Sequence, residues 1–449
     1  MLRKMRWFTI ASVLVIVALA LGACGAPAPP PTPTSPPSVT PAPPTPTPPP
    51  PPPEVTTITF WDYYGVATPF QPEMIAAFEA ENPDIKVQYE SLDWDAMFEK
   101  LSVAMTTGTP PDVATVDMTW VPTWAALGGF SDLGSLSGGK VNGVPFNEAF
   151  TEGAVGAMTY EGQIVTVLED FDVYCLYYRA DLFEEKGLEV PTTWDELVGV
   201  GQQLVEDTDG DGTPDKYLYG IYPDAFRWAQ FLYENGADIL NPDNSEAVFN
   251  SPEGVEATQF LVDMVNKYHI AFDIGEEEAI TPIKDGRMAM FSDGPYMMGV
   301  IKDGAPEMEG MWKVAPHPYS KQRGSYLGGT GLVIPARAAN KEAAWRFIEF
   351  AMRLDNAIGV YKYSGAAPGL KAALESPEVS VPDPYFGGQV TLPLFLEATE
   401  TAHHFPYVRQ WNEMYDIIED AVTSALLEEK TVQQALDDAV AEINALLAE

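Results

Sequence analysis

The chain has 449 residues, with 65 acidic against 25 basic side chains and a net charge of −40 at pH 7. So acidic a surface excludes a nucleic-acid partner and weakens any case for anionic lipid head groups, while leaving the sign of one local pocket undecided. Two cysteines exclude a disulfide-stapled scaffold, and at 46% hydrophobic and 11% aromatic residues the chain can fill large cores.

The N-terminus reads as an address. Arg3, Lys4 and Arg6 precede an uncharged apolar stretch over 7–21, the n-region and h-region of an export signal. That run is 15 residues long, short of the roughly 17–25 that a membrane-spanning helix needs. Leu21-Gly22-Ala23-Cys24 then resembles a bacterial lipobox. The resemblance implies that 1–23 is a lipoprotein signal peptide and that Cys24 is acylated, anchoring the protein to the outer face of the cell membrane. An ordinary secretory signal with an incidental cysteine is the alternative. Residues 25–53 contain 17 prolines and no charge. Such a segment favours extended polyproline II, reaching on the order of 90 Å at roughly 3.1 Å per residue. Residues 24–53 therefore read as an acylated cysteine on a proline-rich linker.

The remainder, about 400 residues, exceeds what one hydrophobic core usually serves, so two lobes are expected. The pattern predicts strands over 56–61, 85–89 and 112–116 alternating with helices over 71–81 and 95–105. That order implies a parallel sheet with crossover helices, whose ligands bind beyond the carboxyl ends of the strands, near 61–64 and 117–120. Strands over 164–168 and 174–178 flank Glu169-Asp170-Phe171-Asp172, which reads as a crossing between lobes. Cys175 falls in the second of these apolar runs and is expected in the core. Thr193 caps a helix starting at Trp194, with Glu196 completing a capping box. Further helices are expected over 252–267, 341–353, 412–427 and 432–447.

The order of several phrases adds a family likeness. Thr57-Ile58-Thr59-Phe60-Trp61, Asn82-Pro83-Asp84-Ile85-Lys86-Val87 and Gly108-Thr109-Pro110-Pro111-Asp112-Val113 come first. Tyr177-Tyr178-Arg179-Ala180-Asp181-Leu182-Phe183 and Pro191-Thr192-Thr193-Trp194-Asp195-Glu196-Leu197 follow. Asn235-Gly236-Ala237-Asp238, Gly286-Arg287-Met288-Ala289-Met290 and Gly328-Gly329-Thr330-Gly331 complete the series. Across 56–449 the chain resembles the extracellular solute-binding proteins of bacterial ABC importers, in the sugar-binding family that includes maltose-binding protein. The resemblance implies an α/β, two-lobed periplasmic-binding-protein fold, each lobe a mainly parallel sheet flanked by helices, with a hinge between them. Lobe 1 is expected over 55–169 with 331–365, and lobe 2 over 170–330 with 366–449. A carbohydrate would enter the cleft, the lobes would close, and the loaded monomer would dock on a membrane permease driven by its ATPase.

A sugar presents apolar faces and a rim of hydroxyls, so its pocket needs rings for stacking and carboxylates to accept hydrogen bonds. Trp61, Tyr63 and Tyr64 at the first strand end, and Asp117 with Trp120 at the third, offer both. Asp170 or Asp172 is a candidate acceptor at the crossing. In lobe 2 the resemblance points to Asp224, Trp228, Asp293, Tyr296 and Gly329, and to Trp411, with Arg409 beside it, on a late helix. Trp228 and Trp411 equally suit a core. The family often has Gly-Pro-Trp where this chain has Gly294-Pro295-Tyr296, and the smaller ring suggests a different or smaller sugar.

Asp207, Asp209, Asp211, Thr213 and Asp215 match the first part of an EF-hand-like calcium loop, with Gly212 at its sixth position, but position 12 is Leu218 instead of the usual Glu. The loop is either a structural calcium site or a polar turn, and no cofactor is required. The chain shows no nucleophile motif, phosphate loop or catalytic zinc signature. A glycoside hydrolase using two of the carboxylates is the alternative from the enzyme class. A polyamine, amino acid, phosphate ester or iron complex is the alternative cargo.

Overall fold

The computed structural model describes residues 55–63, 70–275 and 280–448. The export signal, Cys24, the proline-rich linker and Tyr64 lie outside the described residues.

The expected alternation is present at the start of the fold. Strand Thr56–Asp62 runs parallel to Ile85–Ser91 on one side and to Val113–Asp117 on the other. Helices Phe70–Glu81 and Trp94–Thr107 make the crossovers. Asp93 sets the start of the second helix by accepting the Ala96 N–H at 2.8 Å, and Gly108 stops it at φ 83°. Ile58 and Phe60 alternate into the core because side chains two apart on a strand share a face.

Seven strands form the first sheet. In order they are Ala367–Pro368, Val167–Val173, Ser325–Val333, Val113–Asp117, Thr56–Asp62 and Ile85–Ser91, with Ala402–His404 pairing alongside Ser325–Val333. The second sheet orders Ala271–Asp273, Tyr217–Ile221, Met288–Asp293, Cys175–Arg179 and Trp312–Ala315. Both sheets are mixed: parallel strands carry one side and antiparallel strands complete the other. Helices flank each sheet, giving the two-lobed periplasmic-binding-protein architecture.

Two stretches of chain tie the sheets together. Val167–Val173 belongs to the first sheet and Cys175–Arg179 to the second, with Tyr174 alone between them. The return runs from Trp312–Ala315 to Ser325–Val333. The sequence placed 169–172 between two strands, as a crossing between lobes. The structure keeps them in a strand, since antiparallel pairing to Ser325–Val333 and to Ala367–Pro368 satisfies their backbone on both sides. The register slips between Thr330 and Gly331, leaving Glu169 as an extra bulged residue.

Apolar side chains gather into two buried clusters. One includes Phe60, Phe78, Trp120 and Phe347, and the other Leu197, Trp228, Phe231, Trp411 and Ile418. Cys175 is fully buried, as expected. Thr193 caps helix Trp194–Leu204, accepting the Glu196 N–H at 3.3 Å. Glu196 reaches one residue further back than a capping box requires, accepting from the Thr192 N–H and hydroxyl at 2.8 Å each.

Candidate functional site in the interlobe cleft

The carboxyl ends of the first-sheet strands and the crossing strands converge on a cluster of acids and rings. Asp117 ends its strand and caps the turn after it, accepting from the Thr119 N–H at 2.8 Å and the Thr119 hydroxyl at 2.6 Å. The Trp94 indole N–H approaches the other carboxylate oxygen at 3.4 Å. Trp94 and Trp120 lie 4.8 Å apart between ring centres, and Trp120 meets Tyr63 edge-on at 5.6 Å. The Tyr63 hydroxyl donates to Thr330 Oγ1 at 3.0 Å, and the Thr330 N–H donates to Asp170 at 3.3 Å. These groups form the first-lobe wall.

The facing wall is organised by Arg227. Asp224 caps helix Ala225–Glu234 by accepting the Arg227 N–H at 2.8 Å, which brings the arginine one turn on over the same carboxylate. The guanidinium donates to Asp224 and to Asp293 at 2.6 Å each, and reaches the Tyr296 hydroxyl at 3.3 Å. It also lies over the rings of Tyr174 and Tyr222 at 5.4 and 5.0 Å. Trp94 from the first wall meets Phe226 from the second at 6.4 Å, ring edge to face.

Asp172 sits where the walls meet. A Cβ added at Gly294 would lie 2.7 Å from Asp172 Oδ1. Burial raises its pKa far above the ordinary carboxylate range, and Asp170, Asp293 and Asp117 push the same way against the opposing pull of Arg227. Asp170 is raised to about 7, chiefly by burial and against its bonds from Thr330. Burial lifts Asp117 and Asp224 as well, in the latter case more than Arg227 lowers it. A second acidic pair lies deeper in the first lobe. Glu169 is raised to about 8 by burial and then by Asp62, and Asp62 to about 6 by burial despite bonds from Ser91 and Tyr89.

The sequence candidates separate by position. Tyr63, Asp117, Trp120, Asp170, Asp172, Asp224, Asp293 and Tyr296 are brought together. Gly329 stands beside them in the crossing strand at φ 146°, where any side chain would collide with the Asp170 carbonyl. Three tryptophans are elsewhere. Trp61 turns to the opposite face from Asp62 and lies under the Lys100 ammonium at 4.0 Å. Trp228 is wholly buried, donating to Thr258 at 2.8 Å, and Trp411 is wholly buried against Phe405 at 4.3 Å. The sequence reading missed Arg227, Trp94 and Tyr174. The available signal for the arginine was its i,i+3 spacing from the capping Asp224.

A cavity of about 750 Å³ opens along the Phe171 face of the crossing strands. Phe171 points away from Asp170 and Asp172, as alternate strand residues do, and among the described residues no acid or arginine lines this cavity. Its polar lining consists of Thr119, Thr151, Thr399, His404 and Tyr407, whereas the acids that would accept strong hydrogen bonds from a solute gather in the carboxylate cluster, which is taken as the candidate site.

On an exposed loop, carboxylate oxygens of Asp207, Asp209 and Asp215 lie within 4.8 Å of one another, close enough to hold a cation. Asp211 accepts from the Thr213 N–H at 2.7 Å, Asp207 accepts from Gly210 and Gly212 at 2.7 and 2.9 Å, and Leu218 is buried in the following strand.

Residues 61–357 match the family model described as bacterial extracellular solute-binding protein. Among solved structures, an ABC transporter solute-binding protein of Thermotoga lettingae bound with α-D-tagatose is similar at 26% identity. It superposes with a TM-score of 0.78 over 87% of this chain and 100% of that one. Maltose-bound MalE3 of T. maritima is 25% identical with a TM-score of 0.75, covering 87% and 100%. The arabinooligosaccharide-binding protein of Halalkalibacterium halodurans is 24% identical over 66% of this chain and 67% of its own. These are binding proteins, not catalysts. By its fold and by the span of the family match, the chain belongs to the bacterial extracellular solute-binding proteins.

Proposed function

We propose that this protein captures a carbohydrate in the interlobe cleft and delivers it unaltered to an ABC permease and its ATPase. The observation that carries the reading is the pairing of aromatic rings with hydrogen-bonding acids where the crossing strands meet. Tyr63, Trp94, Trp120, Tyr174 and Tyr296 supply faces for sugar C–H groups, and Asp117, Asp170, Asp172, Asp224 and Asp293 supply acceptors. Support comes from similar proteins bound to tagatose and maltose and from one that binds arabinooligosaccharide. Trp94 and Phe226 already meet across the two walls, so hinge opening would admit the solute and closure would exclude water from these bonds. A lobe boundary at the crossing strands, an acyl anchor on Cys24 and a monomeric state complete the reading, with the proline-rich linker spacing the clamp from the membrane. The Asp207–Asp209–Asp215 group is proposed as a structural calcium site, remote from solute capture.

Thermal unfolding against a panel of mono-, di- and oligosaccharides tests the function, because a ligand of the native state stabilises it in proportion to the logarithm of its concentration over Kd. At least one sugar is expected to raise the melting temperature, and Tyr296→Ala to diminish that shift. A panel with no response to any carbohydrate would sink the assignment.

A further inference from the structure

The charge balance of the cleft refines the sugar reading, on which it rests. Asp117, Asp170, Asp172, Asp224 and Asp293 share one guanidinium, and that group is committed: Arg227 bonds Asp224 and Asp293 at 2.6 Å each. Asp117 has donors in Thr119 and Trp94, and Asp170 has the Thr330 N–H. Asp172 differs. Its Oδ1 is buried against Gly294 without a hydrogen-bond donor among the described residues, and three of the four charges that act on it are carboxylates. A buried acceptor left without a donor is costly, so a bound ligand that supplies one gains from it.

A neutral sugar hydroxyl would give this oxygen a hydrogen bond and leave the carboxyl holding the proton that burial and the neighbouring acids impose. An ammonium group brings up to three donors and the missing positive charge together. The surrounding rings of Tyr63, Trp120, Tyr174 and Tyr296 also suit a cation. A sugar acid would meet five carboxylates with its own charge, against which Arg227 has only its Nε–H, unpartnered among the described residues, left to offer. We infer that the solute is an amino sugar whose protonated amine is held by Asp172, with Asp170 and Asp117 behind it.

Calorimetric titration can compare a β-1,4-linked glucosamine disaccharide, its N-acetylated counterpart and the corresponding glucose disaccharide at low and high NaCl. The amine is expected to bind at least about tenfold more tightly than either neutral sugar, the advantage shrinking with salt. Asp172→Asn should remove most of that advantage, whereas Glu429→Gln, an exposed charge beyond the end of helix Trp411–Leu426, should keep it, separating a local partner from the attraction of a −40 protein. Should Asp172→Asn melt early, Asp117→Asn serves in its place. Equal or weaker binding of the amine, or an advantage indifferent to the cleft variants, would overturn the inference while leaving sugar capture standing. Silence toward all three ligands and the whole carbohydrate panel would overturn both.

Discussion

Replacing Glu169 with glutamine should change how stability depends on pH, because its carboxyl is buried beside another acid. Among the described residues its Oε2 has no hydrogen-bond donor, the residue is 5% exposed, and burial followed by the Asp62 charge raises its pKa from 4.5 to about 8. Between those values the folded protein holds a proton that the unfolded chain has released. Stability therefore falls as pH rises through this window, by about 1.4 kcal/mol per pH unit for one proton. Between pH 5 and pH 8 this one group contributes a loss on the order of 4 kcal/mol. Glu169→Gln keeps the shape and removes the ionisation, so it should match the wild type near pH 5 and exceed it near pH 8 by a few kcal/mol. Asp62→Asn should recover part of the same difference, since Asp62 is the second cause of the shift. Urea unfolding at pH 5, 6.5 and 8 measures it, with the midpoint and slope fitted separately. Parallel pH profiles for wild type and Glu169→Gln would refute the argument.

Arg227→Met would strand Asp293, whose side chain is 1% exposed, beside Asp224, and should cost about 3–5 kcal/mol near neutral pH by urea unfolding. The stranded acids would have raised pKa values, so the deficit should shrink toward pH 4, and an equal deficit at both ends would contradict the proposed pairing. For the Asp207 loop, millimolar calcium should raise the melting temperature, with stabilisation near 2.7 kcal/mol at a hundred times Kd. Asp207→Asn should abolish that gain, and a calcium response unaltered by the variant would place the ion elsewhere.

Much of the fold was legible in the residues because local pattern and tertiary role agreed. Met74, Ile75 and Phe78 recur at helical spacing and are buried, and the helix they predict ends where Asn82 and Pro83 end it. Agreement failed where burial overrode polarity. Glu169, Asp170 and Asp172 read as a crossing between two separate strands, yet sheet pairing on both sides holds them within one strand. The tryptophans failed in the opposite sense. Trp228 and Trp411 have the ring chemistry of a sugar platform, and nothing local distinguishes that use from packing in a core, which is where both are placed. Arg227 was invisible for a related reason: its importance comes from Asp293, 66 residues away along the chain.

The route of the chain through the first sheet has a kinetic consequence. Val113–Asp117 has Thr56–Asp62 on one side and Ser325–Val333 on the other, so its second neighbour is synthesised more than 200 residues later. The first lobe cannot close its sheet until the second has been made. Contacts of such long range slow folding, and a polypeptide destined for the exterior benefits from that delay, reaching the translocation machinery while still a thread.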